Sequence, residues 1–189
     1  MITKPKGYDQ AEAALAGDYK NIQPGGYICK VIKVEEAKSK TNRDMLIIYF
    51  DIAEGEFKDF YKEQYTKSTL EPKKWPNAGI FRQMMDGDSI KFLKGLVTAI
   101  EESNGFTWDW NDNSIKNKLF GGIISEEEYE KQDGSVGVTA RLNFIRSVET
   151  IRDGDYKVPE LKKLKKAENK QNTYGFSKAD NISDDDLPF

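Results

Sequence analysis

The last six residues of the chain carry the most specific chemistry in its sequence. They are, in order, Asp184, Asp185, Asp186, Leu187, Pro188 and Phe189. The aromatic ring can fill an apolar pocket, and the carboxylates can form charge-assisted contacts with Lys or Arg on its rim. Capture of a C-terminal carboxylate is a recurrent mode of peptide recognition. We therefore expect a partner-binding segment, because a solvated acidic run, the commoner case, does not explain the Leu-Pro-Phe ending.

The scarcity of histidine and cysteine limits the catalytic mechanisms that this chain could use. The chain has no histidine and one cysteine, Cys29, which lies in an apolar strand pattern and is expected to be buried. Zinc sites of the common kind and Ser-His-Asp or Cys-His catalysis are thereby excluded. We expect no enzyme and no cofactor. The remaining enzymatic alternative is a magnesium-dependent nuclease, whose candidate ligands would be Glu126, Glu127, Glu128 and Glu130, although an acidic hairpin flank is the simpler interpretation.

Composition indicates one domain with charged appendages. The 189 residues are 38% hydrophobic and 32% charged, and charged residues usually make up about a quarter of a chain. No run approaches the roughly 18 apolar residues of a membrane span. The N-terminus lacks the apolar core of a secretion signal. With no possible internal disulfide, these features favour a reducing cytoplasm.

Charge divides the chain into regions. Residues 1–156 carry 22 basic and 26 acidic groups, residues 157–172 six Lys and two Glu, and residues 173–189 one Lys and four Asp. A nucleic-acid site on the body must therefore be a local patch. We expect an N-terminal extension at 1–23, a folded domain at 24–156, a Lys-rich linker at 157–182 and an acidic docking tail at 183–189.

Alternation and turn residues predict five strands in the folded domain. The strands are expected over residues 27–36, 45–53, 57–66, 118–130 and 136–150. In the second, Leu46, Ile48, Phe50 and Ile52 alternate onto one face. In the fifth, the predicted inward set is Val138, Ala140, Leu142 and Phe144. Asp133-Gly134 marks the turn between the last two strands.

One strong helix is predicted between the third and fourth strands. Asp86 or Asp88 can cap it, and Asn104-Gly105 supplies a left-handed stop. Its apolar positions recur at helical spacing and are Ile90, Leu93, Leu96, Val97 and Ile100. Three strands, a helix and a hairpin are the order of an OB-fold, a mainly β, five-stranded Greek-key barrel, and other Greek-key barrels share that order.

The tail resembles the C-terminal signature of bacterial and phage single-stranded-DNA-binding proteins, an acidic run closed by Ile-Pro-Phe, with Leu187 in the Ile position. The body is similar to phage-encoded members from phages of low-GC Gram-positive bacteria. That similarity lies in Gly25-Gly26-Tyr27, Phe50-Asp51-Ile52-Ala53-Glu54-Gly55 and Lys74-Trp75-Pro76-Asn77. The resemblance implies sequence-independent binding of single-stranded DNA in phage replication, recombination and repair. It also implies a bacterial host cytoplasm and recruitment of phage or host proteins by the tail.

An OB-fold binds single strands across strands two and three and their flanking loops, through stacking rings and cations. The predicted contact residues are Lys38, Lys40, Arg43, Tyr49, Lys58, Tyr61, Lys62, Tyr65, Lys73, Lys74, Trp75, Arg82 and Arg141. Strand aromatics are more often packing residues, and which of Phe57, Phe60, Tyr61 and Tyr65 points outward stays open. Trp108 and Trp110, near Asp109 and Asp112, are assigned to packing. The alternative function is a protein-binding adaptor whose tail mimics that of the host protein. Homo-oligomers are possible for either function.

Overall fold

The computed structural model describes residues 3–9, 13 and 20–164, which form a five-stranded antiparallel sheet. The strands are β1 (Gly25–Lys38), β2 (Asp44–Ile52), β3 (Ile80–Met84), β4 (Leu119–Glu130) and β5 (Val136–Arg146), in the spatial order β3-β2-β1-β4-β5. The helices are α1 (Phe60–Lys67), α2 (Ile90–Asn104) and α3 (Val148–Arg152), and a 3-10 helix spans Asn77–Gly79. The mainly β prediction is confirmed.

The core lies against the alternating apolar face of β2. Leu46, Ile48, Phe50 and Ile52 are all buried, as their period of two predicts. Ile48 is paired with Val34 on β1 and with Phe81 on β3, so this apolar row continues across three strands. α2 adds buried side chains to the same cluster. Burial of one face also fixes the register, because a one-residue slip would bring the polar face inward.

The predicted third strand at 57–66 is wrong, because most of this segment forms α1. Within α1, Tyr61 and Tyr65 are four residues apart and share one helical face, whereas Phe57 lies in the turn before the helix. The buried carboxylate of Asp51 accepts hydrogen bonds from the backbone N–H groups of Tyr61 (2.9 Å) and Lys62 (3.1 Å), at the start of α1. The third strand is instead β3, which pairs with β2 from Met45–Met84 to Tyr49–Ile80.

Helix α2 is confirmed between the third and fourth strands, with a different beginning from the predicted one. Gly105, at φ 59°, ends it in the left-handed conformation. Neither Asp86 nor Asp88 caps the helix, which comes directly after a 3-10 turn at Gly87–Ser89. Ile90 is exposed, so the buried stripe begins at Leu93. The first turn of α2 therefore leaves apolar surface open to solvent.

The β4–β5 hairpin is confirmed with a shorter second strand. β5 ends at Arg146, and Ser147 caps α3 by accepting a hydrogen bond from the Thr150 N–H. Of the predicted inward set, Leu142 is buried and Val138 is exposed. β1 begins at Gly25, opposite Ile124, so the tip of the hairpin extends past β1. There Lys162 forms a short parallel bridge with Glu127.

The two edge strands of the sheet, β3 and β5, approach each other at the 3-10 helix that precedes β3. β5 contacts the 3-10 helix that leads into β3. Ala78 of that helix and Ala140 of β5 both pack against the core and line the same 360 Å³ pocket. Among the described residues, no helix is long and apolar enough to cross a bilayer.

Candidate nucleic-acid interface

The outer face of β1, β2 and β3 carries a small polar network. Tyr49 of β2 stands between Lys33 on β1 and Ile80 on β3, and the next outward row places Glu35 and Arg82 on either side of Ile47. These side chains alternate with the buried set, so they are directed to the opposite side of the sheet. β2 therefore presents one aromatic ring among two cations and one carboxylate.

Tyr49 is held in place by its neighbours on β1. Its hydroxyl donates a hydrogen bond to Glu35 Oε2 at 2.9 Å, and Lys33 Nζ lies 5.6 Å from the ring centroid. Lys33 also forms an ion pair with Glu35. Hydrogen bonds from Lys33 and then Tyr49 lower the pKa of Glu35, and burial, together with the Glu35 hydrogen bond, raises the pKa of Tyr49. The ring thus has a fixed orientation and a cation over its face.

A second aromatic cluster joins α1 to the loop before β3. The rings of Tyr65 and Trp75 lie 5.6 Å apart at an interplanar angle of 37°. Lys73 Nζ lies 5.9 Å from the Tyr65 centroid and donates to the carbonyl of Thr66 at 2.7 Å. Tyr65 is 36% exposed, so part of its ring is open to a stacking partner.

Trp75 connects this cluster to β2. Its indole N–H donates to the carbonyls of Gly79 (3.1 Å) and Phe50 (3.3 Å). Gly79 is needed there, because a Cβ would lie 2.6 Å from Trp75 Nε1 and 2.9 Å from Tyr61 Cγ. Phe50 is the residue after Tyr49, so the two aromatic clusters are neighbours along β2. We group the two clusters under the name aromatic–basic surface, consisting of Lys33, Tyr49, Tyr65, Lys73, Trp75 and Arg82.

Further cations lie on the same part of the chain. Lys58, Lys62 and Lys74 are exposed, and none of the three forms an ion pair within the described ranges. Arg82 donates one hydrogen bond to Asn77 Oδ1 at 3.1 Å. Ammonium groups without a carboxylate partner are available to phosphates, and their attraction is screened by salt.

Tyr61, one of the predicted contact residues, does not belong to this surface. It is 1% exposed and packs its ring edge-on against Phe50, with centroids 5.4 Å apart. Burial raises the pKa of its phenol. The side chain is therefore part of the core and cannot stack with a base on the surface.

The predicted cations at the end of β1 and in the turn that follows it are largely engaged by carboxylates. Arg43 donates from Nε and Nη2 to the Asp86 carboxylate at 2.7 to 3.2 Å, and Lys38 pairs with Asp44. Lys40 is exposed in the turn between β1 and β2. Arg141 lies on the edge strand β5, opposite Ser125. These four residues are not part of the aromatic–basic surface.

The structure differs from the sequence predictions at two further residues, Lys33 and Trp110. Lys33 was missed as a contact candidate, although its alternation with buried Val34 is visible in the sequence. Trp108 is buried as predicted, with its ring 4.6 Å from that of Trp110, but Trp110 itself is exposed. The packing assignment therefore holds for the first tryptophan and only in part for the second.

The described residues contain neither the tail nor a group of metal-ligating side chains. The predicted docking residues 184–189 lie outside the described residues. Within the described part of the chain, no three Cys, Asp or Glu side chains are grouped so that they could hold a metal ion. Glu127 and Glu128, candidates for the nuclease alternative, contact Lys162 and the Leu164 N–H respectively. A comparison with protein-family models and a search of curated proteins found no match to this chain.

Proposed function

We propose that this protein binds single-stranded DNA without catalysis and largely without sequence preference. The aromatic–basic surface would hold bases and phosphates, and the segment 183–189 would recruit replication, recombination or repair proteins of the phage or its host. The observation that carries this proposal is the hydrogen bond from Trp75 to the Phe50 carbonyl, because it attaches the Tyr65–Trp75–Lys73 cluster to β2 at the residue next to Tyr49.

The fold proposed for this function is an OB-fold barrel. The order β3-β2-β1-β4-β5 becomes that barrel if β3 and β5 are brought together, and α2 lies between β3 and β4 in the chain as the fold requires. The contact of β5 with the 3-10 helix before β3 supports such closure. The outer side of β2 and β3 would then be the nucleotide-binding face.

The chemistry of the aromatic–basic surface suits single strands better than duplex. Each base stacked on a ring contributes about 1–3 kcal/mol, and every base has a face to stack. Bases in a duplex are already stacked on one another, so they cannot use Tyr49 or Tyr65. Cations such as Lys62 and Lys74 would contact phosphates, which carry no sequence information.

The first test is a titration of labelled oligo-dT at two salt concentrations, beside a duplex of equal length. Fluorescence anisotropy should rise with the single strand and much less with the duplex. Log affinity should fall by about 0.7 per log unit of salt for each phosphate contact. A protein that leaves the anisotropy of oligo-dT unchanged in dilute buffer would refute the proposal.

A substitution test uses two exposed aromatic residues. Tyr65→Ala should weaken oligo-dT binding by roughly 5-fold or more, since stacking contributes about 1–3 kcal/mol per base. The control is Trp110→Ala, because Trp110 is 58% exposed but lies in the loop between α2 and β4, outside the surface. Equal losses for both variants would count against a specific role of the surface.

The tail is proposed to compete with DNA for the cationic groups. Residues 173–189 have one Lys and four Asp, so they can pair with the same ammonium groups that phosphates use. Deleting 183–189 should tighten oligo-dT binding at low salt and abolish recruitment of partner proteins. Unchanged affinity at low salt would remove the competition from the proposal.

The adaptor alternative is favoured by the β4–β5 hairpin. Val136 and Val138 are exposed there, and the body of the chain is acidic overall. Exposed apolar side chains at a hairpin tip are suited to protein contact. An adaptor would bind a partner protein without changing oligo-dT anisotropy, so the same titration separates the two functions.

A further inference from the structure

A cleft of about 550 Å³ opens between β3, α2 and the end of β5. Phe81 lines it from β3, Phe92 and Gly95 from α2, and Phe144 and Arg146 from β5. Since β3 and β5 are the two edge strands, the cleft lies along the seam between the edges of the sheet. It is separate from the aromatic–basic surface and is not used in the proposed function.

Cations lie over aromatic rings on both walls of this cleft. Lys91 Nζ is 5.1 Å from the Phe92 centroid, and the guanidinium carbon of Arg146 is 5.6 Å from the Phe144 centroid. Lys94 is a third cation in the lining. Within residues 20–164, none of these three basic side chains forms an ion pair. The lining also holds one carboxylate, Glu102, so the cleft combines aromatic rings with an excess of positive charge, three cations against one anion.

The entrance is open and partly apolar. Phe92 is 38% exposed, and Ile90 in the same first turn of α2 is exposed as well. A Cβ on Gly95 would meet no atom within 4 Å, so no side chain narrows this stretch of the helix. Exposed aromatic surface beside cations is the composition that holds single-stranded nucleic acid.

We propose that this cleft is a second nucleotide subsite, which binds the same single strand after it has crossed the aromatic–basic surface. A base stacks on Phe92 or Phe144, and the neighbouring phosphates pair with Lys91, Lys94 and Arg146. This inference rests on the proposed function and extends it to the length of strand that one protein covers.

The path between the two sites runs over β3. Arg82 belongs to the aromatic–basic surface, whereas its neighbours Phe81 and Gln83 line the cleft. A strand that leaves Arg82 therefore reaches the cleft by crossing one edge strand. This continuity favours nucleic acid over an acidic peptide, which would use the same cations without needing the first site.

The test compares a short and a long oligonucleotide on the full chain. An OB-fold covers about 4–16 nucleotides, so we choose dT of about 5 nucleotides to fill one site and of about 15 to reach both. The double variant Lys91→Ala/Arg146→Ala should weaken binding of the long strand by roughly 10-fold. The salt slope of that strand should fall by about 0.7 for each phosphate that the variant no longer binds. Binding of the short strand should change by less than about 2-fold.

Two further variants keep the result interpretable. Gly95→Glu places a carboxylate in the open cleft and leaves the existing side chains intact, and it should also weaken only the long strand. Lys116→Ala removes an exposed cation from the loop before β4, outside the cleft lining, and should affect neither strand. Urea midpoints of all variants check that folding is unchanged.

Three outcomes would overturn the subsite. If wild-type protein binds both strands and the cleft variants bind them equally well, the cleft is not used and the proposed function stands. If the cleft variants instead lose a synthetic Asp-Asp-Asp-Leu-Pro-Phe peptide and keep both strands, the occupant is an acidic peptide. If wild-type protein binds neither strand, the proposed function and the subsite fail together.

Discussion

Tyr49 and Asp51 stand two residues apart on the same side of β2, yet one is partly open to solvent and the other is fully buried. The difference arises from the hydrogen-bond partners of the two side chains. The backbone at the start of α1 donates two hydrogen bonds to the Asp51 carboxylate, whereas the Tyr49 hydroxyl donates to the side chain of Glu35 on β1. The outward face of β2 therefore has two different ends. The closed end is Asp51, which is buried and bonded to the backbone of α1. The open end is Tyr49, which is partly exposed and bonded to a side chain that a ligand could replace.

The comparison shows how a polar residue in a strand acquires its role. Burial raises the pKa of Asp51, and its three backbone N–H donors, including that of Ile52, oppose this shift. Such a carboxylate is costly to bury and costly to remove. Glu35, beside Tyr49, keeps a lowered pKa on the open side. Asp51, whose partners are backbone N–H groups, therefore stabilises the fold. Tyr49, whose partner is a side chain at the surface, can exchange that partner for a ligand.

The largest effect is expected at the closed end. Asp51→Ala should lower the free energy of unfolding by about 2–4 kcal/mol, because it leaves two or more buried N–H groups without an acceptor. Urea denaturation measures the loss. The control is Asp59→Asn, whose side chain bonds Lys30 rather than the backbone of α1 and whose left-handed backbone suits Asn. Equal losses of stability in both variants would show that the hydrogen bonds from α1 to Asp51 are not what stabilises this end of β2.

An intermediate effect is expected at Gly79, which lies against Trp75 of the aromatic–basic surface and Tyr61 of the core. A Cβ there would press on Trp75 and Tyr61, so Gly79→Ala should cost about 1–3 kcal/mol. It should also weaken oligo-dT binding by displacing the Trp75 ring.

The matched control for Gly79→Ala is Gly95→Ala in the interior of α2. Its new methyl group meets no atom within 4 Å, so it should stabilise the protein by about 0.5–1 kcal/mol through helix propensity. A Gly79→Ala protein as stable as wild type would show that Trp75 is not tightly packed.

The smallest effect is expected at the open end. Tyr49→Phe removes one of the two hydrogen bonds that lower the pKa of Glu35, so that pKa should rise toward its ordinary value. A carboxyl with a lowered pKa contributes stability above its unfolded pKa and loses it as pH falls through its folded pKa. The variant should therefore lose less stability on acidification than wild type.

Carboxyl NMR titration of Glu35 checks this shift directly. Tyr27→Phe is the control, because its hydroxyl donates to the Gln23 carbonyl instead. An unchanged Glu35 pKa in Tyr49→Phe would mean that Lys33, without Tyr49, lowers the pKa of this carboxyl group.

Periodicity predicted the parts of the fold in which one face is buried. β2 has the alternation that its sequence predicts, and α2 ends at Gly105 because a left-handed residue stops it there. The strand prediction for residues 57–66 is wrong because Phe57 lies in a turn and most of the remaining segment forms α1. The acceptor that fixes this helix, Asp51, lies outside the segment, so local propensity could not include it.

Five of the six residues of the aromatic–basic surface were predicted as contact residues and only Lys33 was missed, but the direction of a side chain was predictable only on a regular strand. The outward direction of Tyr49 and Arg82 can be deduced from alternation along β2 and β3 once the strands are known. The contact between Tyr65 and Trp75 depends on the path of the loop from α1 to β3, which no periodic pattern encodes. The cleft beside α2 depends on how the sheet edges approach each other, which is a tertiary property.

The return of residues 161–164 to β4 has a consequence for self-association. The Lys162 N–H donates to the Glu126 carbonyl at 3.0 Å, and the Glu128 N–H donates to the Lys162 carbonyl at 2.9 Å. These bonds occupy the part of the β4 edge that extends past β1. A protein shortened after residue 156 would expose that edge, on which a second molecule could add a strand. A protein ending after Leu164 would keep it closed and should stay monodisperse at concentrations where the shorter one aggregates.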